Sequence, residues 1–158
     1  MFRIVFFQPE IPPNTGNAIR LAANTGCELH LVRPLGFSLA TSHLRRAGLD
    51  YHDLAKVRVH ADLAAAWEAL LPANVYAFTT GATLRHTEVS YAPGDVLLFG
   101  PESVGLPREV QYAAEVTDRL SLPMLPTSRS LNLANSTAIA VYEAWRQHDF
   151  PGEVRSSP

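Results

Sequence analysis

Cysteine and lysine are almost missing from this chain: Cys27 and Lys56 are the only ones among 158 residues. A lone cysteine excludes an internal disulfide framework and fits a reducing compartment, so a cytoplasmic protein is expected. The lone lysine follows no glycine, which excludes a Walker-type phosphate loop. No two of the nine glycines stand two positions apart, so the GxGxxG dinucleotide fingerprint is excluded as well. GxSxG, HExxH and paired CxxC do not occur, and the six histidines are scattered. Nucleophilic, hydride and metal chemistry are thereby disfavoured, and no metal is expected. No apolar run approaches bilayer length, and Pro9 interrupts the short apolar opening, so neither a membrane span nor a signal peptide is expected.

What remains is ordinary globular material, 47% apolar and 18% charged. Its length suits one domain over residues 1–158, with a loose tail at 152–158. The net charge of −2 does not advertise a nucleic-acid binder. Twelve of the thirteen basic residues are nevertheless arginines, whose planar fork matches phosphate geometry.

Short apolar runs alternate with helix-like stretches. Strands are expected over 3–7, 28–32, 56–60, 75–79, 96–99 and 119–122, most of them Val-, Leu-, Ile- or Phe-rich with little polar alternation. Helices are expected over 15–25, 39–47, 62–71, 108–114 and 131–148. This alternation implies an open, mostly parallel α/β sheet with helices on both faces. In the last helix Leu131, Ala138, Val141, Tyr142 and Trp145 recur at helical spacing, as either a core stripe or a dimer interface.

Three polar segments interrupt the apolar elements. The first, NTGNAIR, offers Asn14 as a helix cap and sets Asn17 and Arg20 on one helical face. The second, LLFGPESVGLP, leaves a strand and wraps two glycines and two prolines around Glu102. Such a loop, at the C-terminal end of a parallel strand, is where open α/β sheets bind ligands. The third, LPMLPTSRSLNLAN, brings hydroxyls, an arginine and amides to a helix N-terminus, where free N–H groups favour a carboxylate or phosphate. Taken singly, each also reads as a capped helix or a plain connection.

Together, in this order, the segments resemble the three motifs of the SPOUT superfamily of RNA methyltransferases. The likeness is closest to the single-domain tRNA 2′-O-ribose methyltransferases that act on the wobble nucleotide. EIPPNTGNAIRLAANTG and RRAGLDYHD extend it over nearly the whole chain. The resemblance implies a C-terminal trefoil knot, although knots are rare exceptions to unthreaded connections. It also implies S-adenosylmethionine as cofactor, a tRNA anticodon stem-loop as substrate, and a homodimer through the last helix (Tyr142, Trp145). By the same likeness, cofactor contacts fall at Phe78, Gly100, Leu122 and Ser130, with Phe78 standing where an aliphatic residue is common.

For chemistry the resemblance points to Arg20 as the central catalytic residue, held by Asn14. Ser130 and Asn132 would hold cofactor and ribose, and Glu102 would order its loop or offset the sulfonium charge. A guanidinium almost never loses its proton, so Arg20 is read as a clamp that polarises the 2′-hydroxyl rather than as a general base. Arg45, Arg46, Tyr51, His52, Arg85, His86 and Arg129 are candidate RNA contacts. The alternatives are ribose methylation of another RNA, such as ribosomal RNA, and a catalytically silent RNA- or cofactor-binding module.

Overall fold

The computed structural model describes residues 1–39 and 56–154. The helix expected over 39–47, the RRAGLDYHD segment and its Arg45, Arg46, Tyr51 and His52 therefore lie outside the described residues, apart from Leu39 itself. Seven parallel strands form one sheet in the order β3-β2-β1-β6-β4-β7-β5. They are β1 (Arg3–Phe7), β2 (Glu28–Val32), β3 (Val57–His60), β4 (Val75–Phe78), β5 (Leu84–Arg85), β6 (Val96–Phe99) and β7 (Asp118–Ser121). The helices are α1 (Pro12–Thr25), α2 (Leu63–Leu70), α3 (Arg108–Gln111) and α4 (Leu133–Arg146).

The near-continuous apolar runs of β1, β4 and β6 are explained by burial on both faces. Ile4, Phe6, Leu97, Phe99 and Leu120 point into one core layer with α1 and α4. Val5, Ala77, Val96 and Leu98 alternate to the other, against α2 and Val110 of α3. The expected α/β architecture with helices on both faces is what forms. The two-residue strand β5 was not foreseen; two residues are too few to carry a pattern.

Helix α1 begins differently from the expectation. Its N-cap is Ile11, and Pro12 and Pro13 occupy the first helical positions, where a missing N–H and a fixed φ do no harm. Asn14 is therefore no cap: it sits inside the first turn and is buried. The other end closes on Gly26 in the left-handed conformation, at φ 74°. In α4 the cap is Asn132, whose side chain accepts from the Asn135 N–H at 3.2 Å, so neither Ser128 nor Ser130 caps that helix. The stripe expected in the last helix divides: Val141 is core and Tyr142 faces outward, while Leu131 falls just ahead of α4; Leu131 and Ile139 are exposed as well.

A histidine pair joins β2 to β3. His30 Nδ1 lies 2.8 Å from His60 Nε2, and its Nε2 lies 3.4 Å from a Glu28 carboxylate oxygen. Both distances are met if His60 donates to His30 and His30 donates to Glu28, with both rings neutral. Burial pushes His30 down to about 4, against the pull of Glu28, and also lowers His60. A lowered folded-state value means stability is complete above pH 6.5 and is lost as pH falls towards 4. The unfolding free energy from urea titration is expected to drop by about 2 kcal/mol between pH 7 and pH 5. His30→Gln should make that slope clearly shallower; equal slopes would remove His30 as its source.

Candidate active site

A crevice of about 920 Å³ opens over the C-terminal ends of β4, β6 and β7. This is the edge where parallel α/β sheets place their ligands. Thr79–Gly81 follow β4, residues 100–106 follow β6, and residues 122–132 lead from β7 into α4. The first turn of α1 contributes Ile11 and Asn14. Asn14, Glu102, Ser130, Asn132, Phe78, Gly100 and Leu122, all anticipated from sequence, line this one space.

The loops are joined by side chains rather than by packing alone. Asn132 Nδ2 donates to Asn14 Oδ1 at 2.9 Å, and Asn14 Nδ2 donates to Glu102 Oε1 at 3.1 Å. Glu102 also accepts the backbone N–H groups of Glu10 (2.7 Å) and Ile11 (3.1 Å). A carboxylate from a distant loop thus serves the free donors, and the positive end, of α1. Glu10 returns the exchange, accepting from Ser103 N at 2.9 Å and Ser103 Oγ at 2.8 Å. Glu10 and Ser103 escaped the sequence reading because their spacing of 93 residues leaves no local pattern.

Gly100 has the tightest fit in the site. A Cβ there would meet Leu106 N at 2.2 Å, so only glycine lets the loop fold back on its own strand end. The Phe78 ring stacks on Phe99 with centroids 4.6 Å apart, which explains how an aromatic is accommodated at that position.

Arg20 is the exception among the expected residues. It is exposed on α1 and is not part of the crevice lining. Asn14 hydrogen-bonds to Glu102 and Asn132, and six helical residues carry Arg20 roughly 9 Å along the axis and about 120° around from Asn14. Among the RNA candidates, Arg129 lines the crevice and Arg85 is exposed on β5. His86 is buried, with its carbonyl taken by the Tyr91 hydroxyl at 2.8 Å, and is withdrawn as an RNA contact. Missed altogether were Arg108, Tyr112 and Arg119, which form the far wall of the crevice.

Residues 1–142 match the SpoU rRNA Methylase family, from β1 through most of α4. The chain belongs to the SpoU methylase family. A tRNA (cytidine(34)-2'-O)-methyltransferase of Methylovorus glucosotrophus (strain SIP3-4) is 55% identical over 98% of this chain and 100% of its own length. A solved structure described as giving insights into the 2-OH methylation of C/U34 on tRNA superposes with a TM-score of 0.86 at 48% identity, covering 94% and 97% of the two chains. An AdoMet-bound rRNA methyltransferase from Sinorhizobium meliloti superposes with a TM-score of 0.77 at 25% identity, covering 92% of this chain and 56% of that one. In this SpoU methylase chain, all three motif segments read from sequence reach the crevice, and of the expected catalytic and cofactor residues only Arg20, on the surface, stands outside its lining.

Two substitutions test this construction. Glu102→Ala strips three donors of their acceptor and is expected to lower stability by about 2 kcal/mol in urea unfolding. Glu102→Gln, which keeps one acceptor oxygen but loses charge, should lose less; no loss in either variant would show that the carboxylate does not matter. Gly100→Ala should be worse than either, about 3 kcal/mol or more by the same measurement, because the clash is with backbone that cannot rotate away.

Proposed function

We propose that the protein transfers the methyl group of S-adenosylmethionine to the 2′-hydroxyl of a tRNA wobble nucleotide, cytidine-34 or a modified uridine-34. The observation that carries this reading is the convergence of Asn14, Glu102, Ser130 and Asn132 on one crevice, in a chain 55% identical to a tRNA (cytidine(34)-2'-O)-methyltransferase. The residues present suit the cofactor. The crevice volume lies within the roughly 300–1,000 Å³ of sites that enclose drug-sized ligands. Its walls come from three strand-end loops and the start of α1, with Gly100 leaving no side chain in the way. The AdoMet-bound relative adds support.

When bound, S-adenosylmethionine supplies an electrophilic methyl carbon on a sulfonium; the ribose oxygen bonds to that carbon as the carbon–sulfur bond breaks. The protein's own part is alignment and exclusion of water. Gly100, Leu122 and the backbone after Phe78 hold the donor. Ser130 and Asn132 hold the ribose edge, with Asn132 fixed through Asn14 to Glu102. Glu102 keeps the crevice mouth in shape, its charge taken up by the donors at the start of α1 and by Asn14. The 2′-hydroxyl proton passes to an acceptor other than Arg20, whose guanidinium stays charged.

Arg20 acts in the crevice of a second copy, clamping a phosphate of the bound nucleotide. Supporting this is its exposure on α1, which packs beside α4. The outward apolar side chains Ile139 and Tyr142 of α4, with Trp145 beside them and Leu131 just ahead of the helix, form the homodimer surface. The C-terminal part is threaded as a trefoil knot. Its support is the strand order, in which β6 enters between β1 and β4, and β7 between β4 and β5. The protein works in the cytoplasm, in keeping with its single buried thiol at Cys27. No described helix is long and apolar enough to cross a membrane.

Incubation with labelled S-adenosylmethionine and total RNA, containing both tRNA and ribosomal RNA, followed by mapping of the methylated nucleotide, tests the reaction. Label on the wobble ribose is expected. Label on ribosomal RNA alone would select the other substrate, and none at all would select a silent binding module. Arg20→Ala should abolish turnover and leave cofactor affinity within a few-fold. Arg20→Lys should recover only part of the rate, because it keeps charge and loses the bidentate fork. Undiminished turnover in Arg20→Ala would remove this residue from the mechanism.

A further inference from the structure

The chain carries net charge −2, yet its crevice is locally basic. The charged side chains lining it are Arg108, Arg119, Arg129 and Glu102, and Glu102 is already committed to the donors of α1 and Asn14. Two of those arginines are assembled on one aromatic ring. The Arg119 guanidinium lies 4.0 Å from the Tyr112 centroid and that of Arg108 lies 5.1 Å from it. Arg119 also donates to the Tyr112 hydroxyl. Among the described residues neither arginine has a carboxylate within salt-bridge distance. Two like charges are thus gathered about one ring, whose negative quadrupole favours cations over its face. Their remaining N–H groups have no acceptor among the described residues.

We propose that Arg108, Tyr112 and Arg119 form a phosphate-binding subsite for the backbone of the acceptor RNA, beyond the nucleotide that receives the methyl group. The proposal rests on the reaction proposed above and concerns how its substrate is held. Two features favour a polymer over the carboxylate of the small donor. The wall is open to solvent, with Tyr112 55% exposed, whereas small ligands are mostly engulfed. A second cavity of about 340 Å³ begins where the first ends, sharing Gln111, Tyr112 and Arg119 with it. Among the described residues its one carboxylate is Asp118. A strand can run past the arginines from one cavity into the next; a single small molecule has no use for the second.

The two guanidiniums give bidentate N–H forks that fit phosphate oxygens. Phosphate contacts fix register without reading sequence, so this wall would hold RNA firmly and indifferently to base. Choice of nucleotide would stay with the loops around Asn14 and Asn132.

The test measures binding of a tRNA transcript to protein saturated with S-adenosylhomocysteine, across a range of salt concentrations. Arg108→Gln, Arg119→Gln and the double variant are compared with the unaltered protein. Arg108 is exposed and serves as the variant least able to disturb folding; thermal melting checks all three. The double variant is expected to bind RNA roughly tenfold or more weakly at moderate salt. The slope of log affinity against log salt should shrink by about 0.7 for each single-strand phosphate that the variant no longer neutralises. Cofactor affinity, by calorimetry, should stay within twofold. An unchanged salt slope in folded Arg108→Gln and in the double variant would overturn the subsite. So would a loss of cofactor affinity with RNA affinity intact, which would assign the arginines to the donor's carboxylate. Failure of the proposed reaction looks different: the unaltered protein would bind RNA with the full salt slope and transfer no methyl group.

Discussion

The carboxylate of Glu102 is where the loop after β6, the start of α1 and the approach to α4 are tied together. It accepts two backbone N–H groups at the start of α1 and the amide of Asn14, and through Asn14 it reaches Asn132 at the start of α4. Each bond taken alone is modest, but acceptors shared among partly buried donors are interdependent, because losing one leaves others unsatisfied. The return contacts from Glu10 to Ser103 close the exchange from the opposite side. Two acidic side chains are thus brought close without repelling the fold apart, since each is matched to donors on the other's loop. The strands supply the platform; this exchange sets the spacing between the loops that stand on it.

Charge is distributed with a similar economy. An acidic chain avoids indiscriminate attraction to nucleic acid, and it keeps arginine where a polyanion has to lie. Among the described residues Glu102 is the one acidic side chain in the main crevice, and the start of α1 absorbs its field. Its mouth therefore presents guanidinium to solvent, even though the summed charge of the chain has the opposite sign.

Much of this fold was legible in the order of the amino acids. Strands β1, β2 and β6 match the apolar runs residue for residue, because strands buried on both faces write their limits plainly into sequence. The site residues were legible as motifs, and seven of them share one space. What escaped was whatever depended on distance along the chain. Asn14 looked like a cap because it follows two prolines; the prolines instead opened the helix, and the amide was freed for Glu102. The Glu10–Ser103 bond joins residues 93 positions apart and leaves no periodic trace. His86 looked accessible in a polar stretch but is covered in the fold. Arg108 and Arg119 carried no signal of their own, because only the fold sets both on the ring of Tyr112.

The return of the loop at Gly100 onto Leu106 carries one more implication. With no room for even a methyl group, the floor of the crevice cannot be retuned by exchanging a side chain there. Divergence among enzymes built this way is pushed outward, to the rim, where residues can change without moving the chain. Descendants of this scaffold would keep a common donor and differ in the RNA they accept.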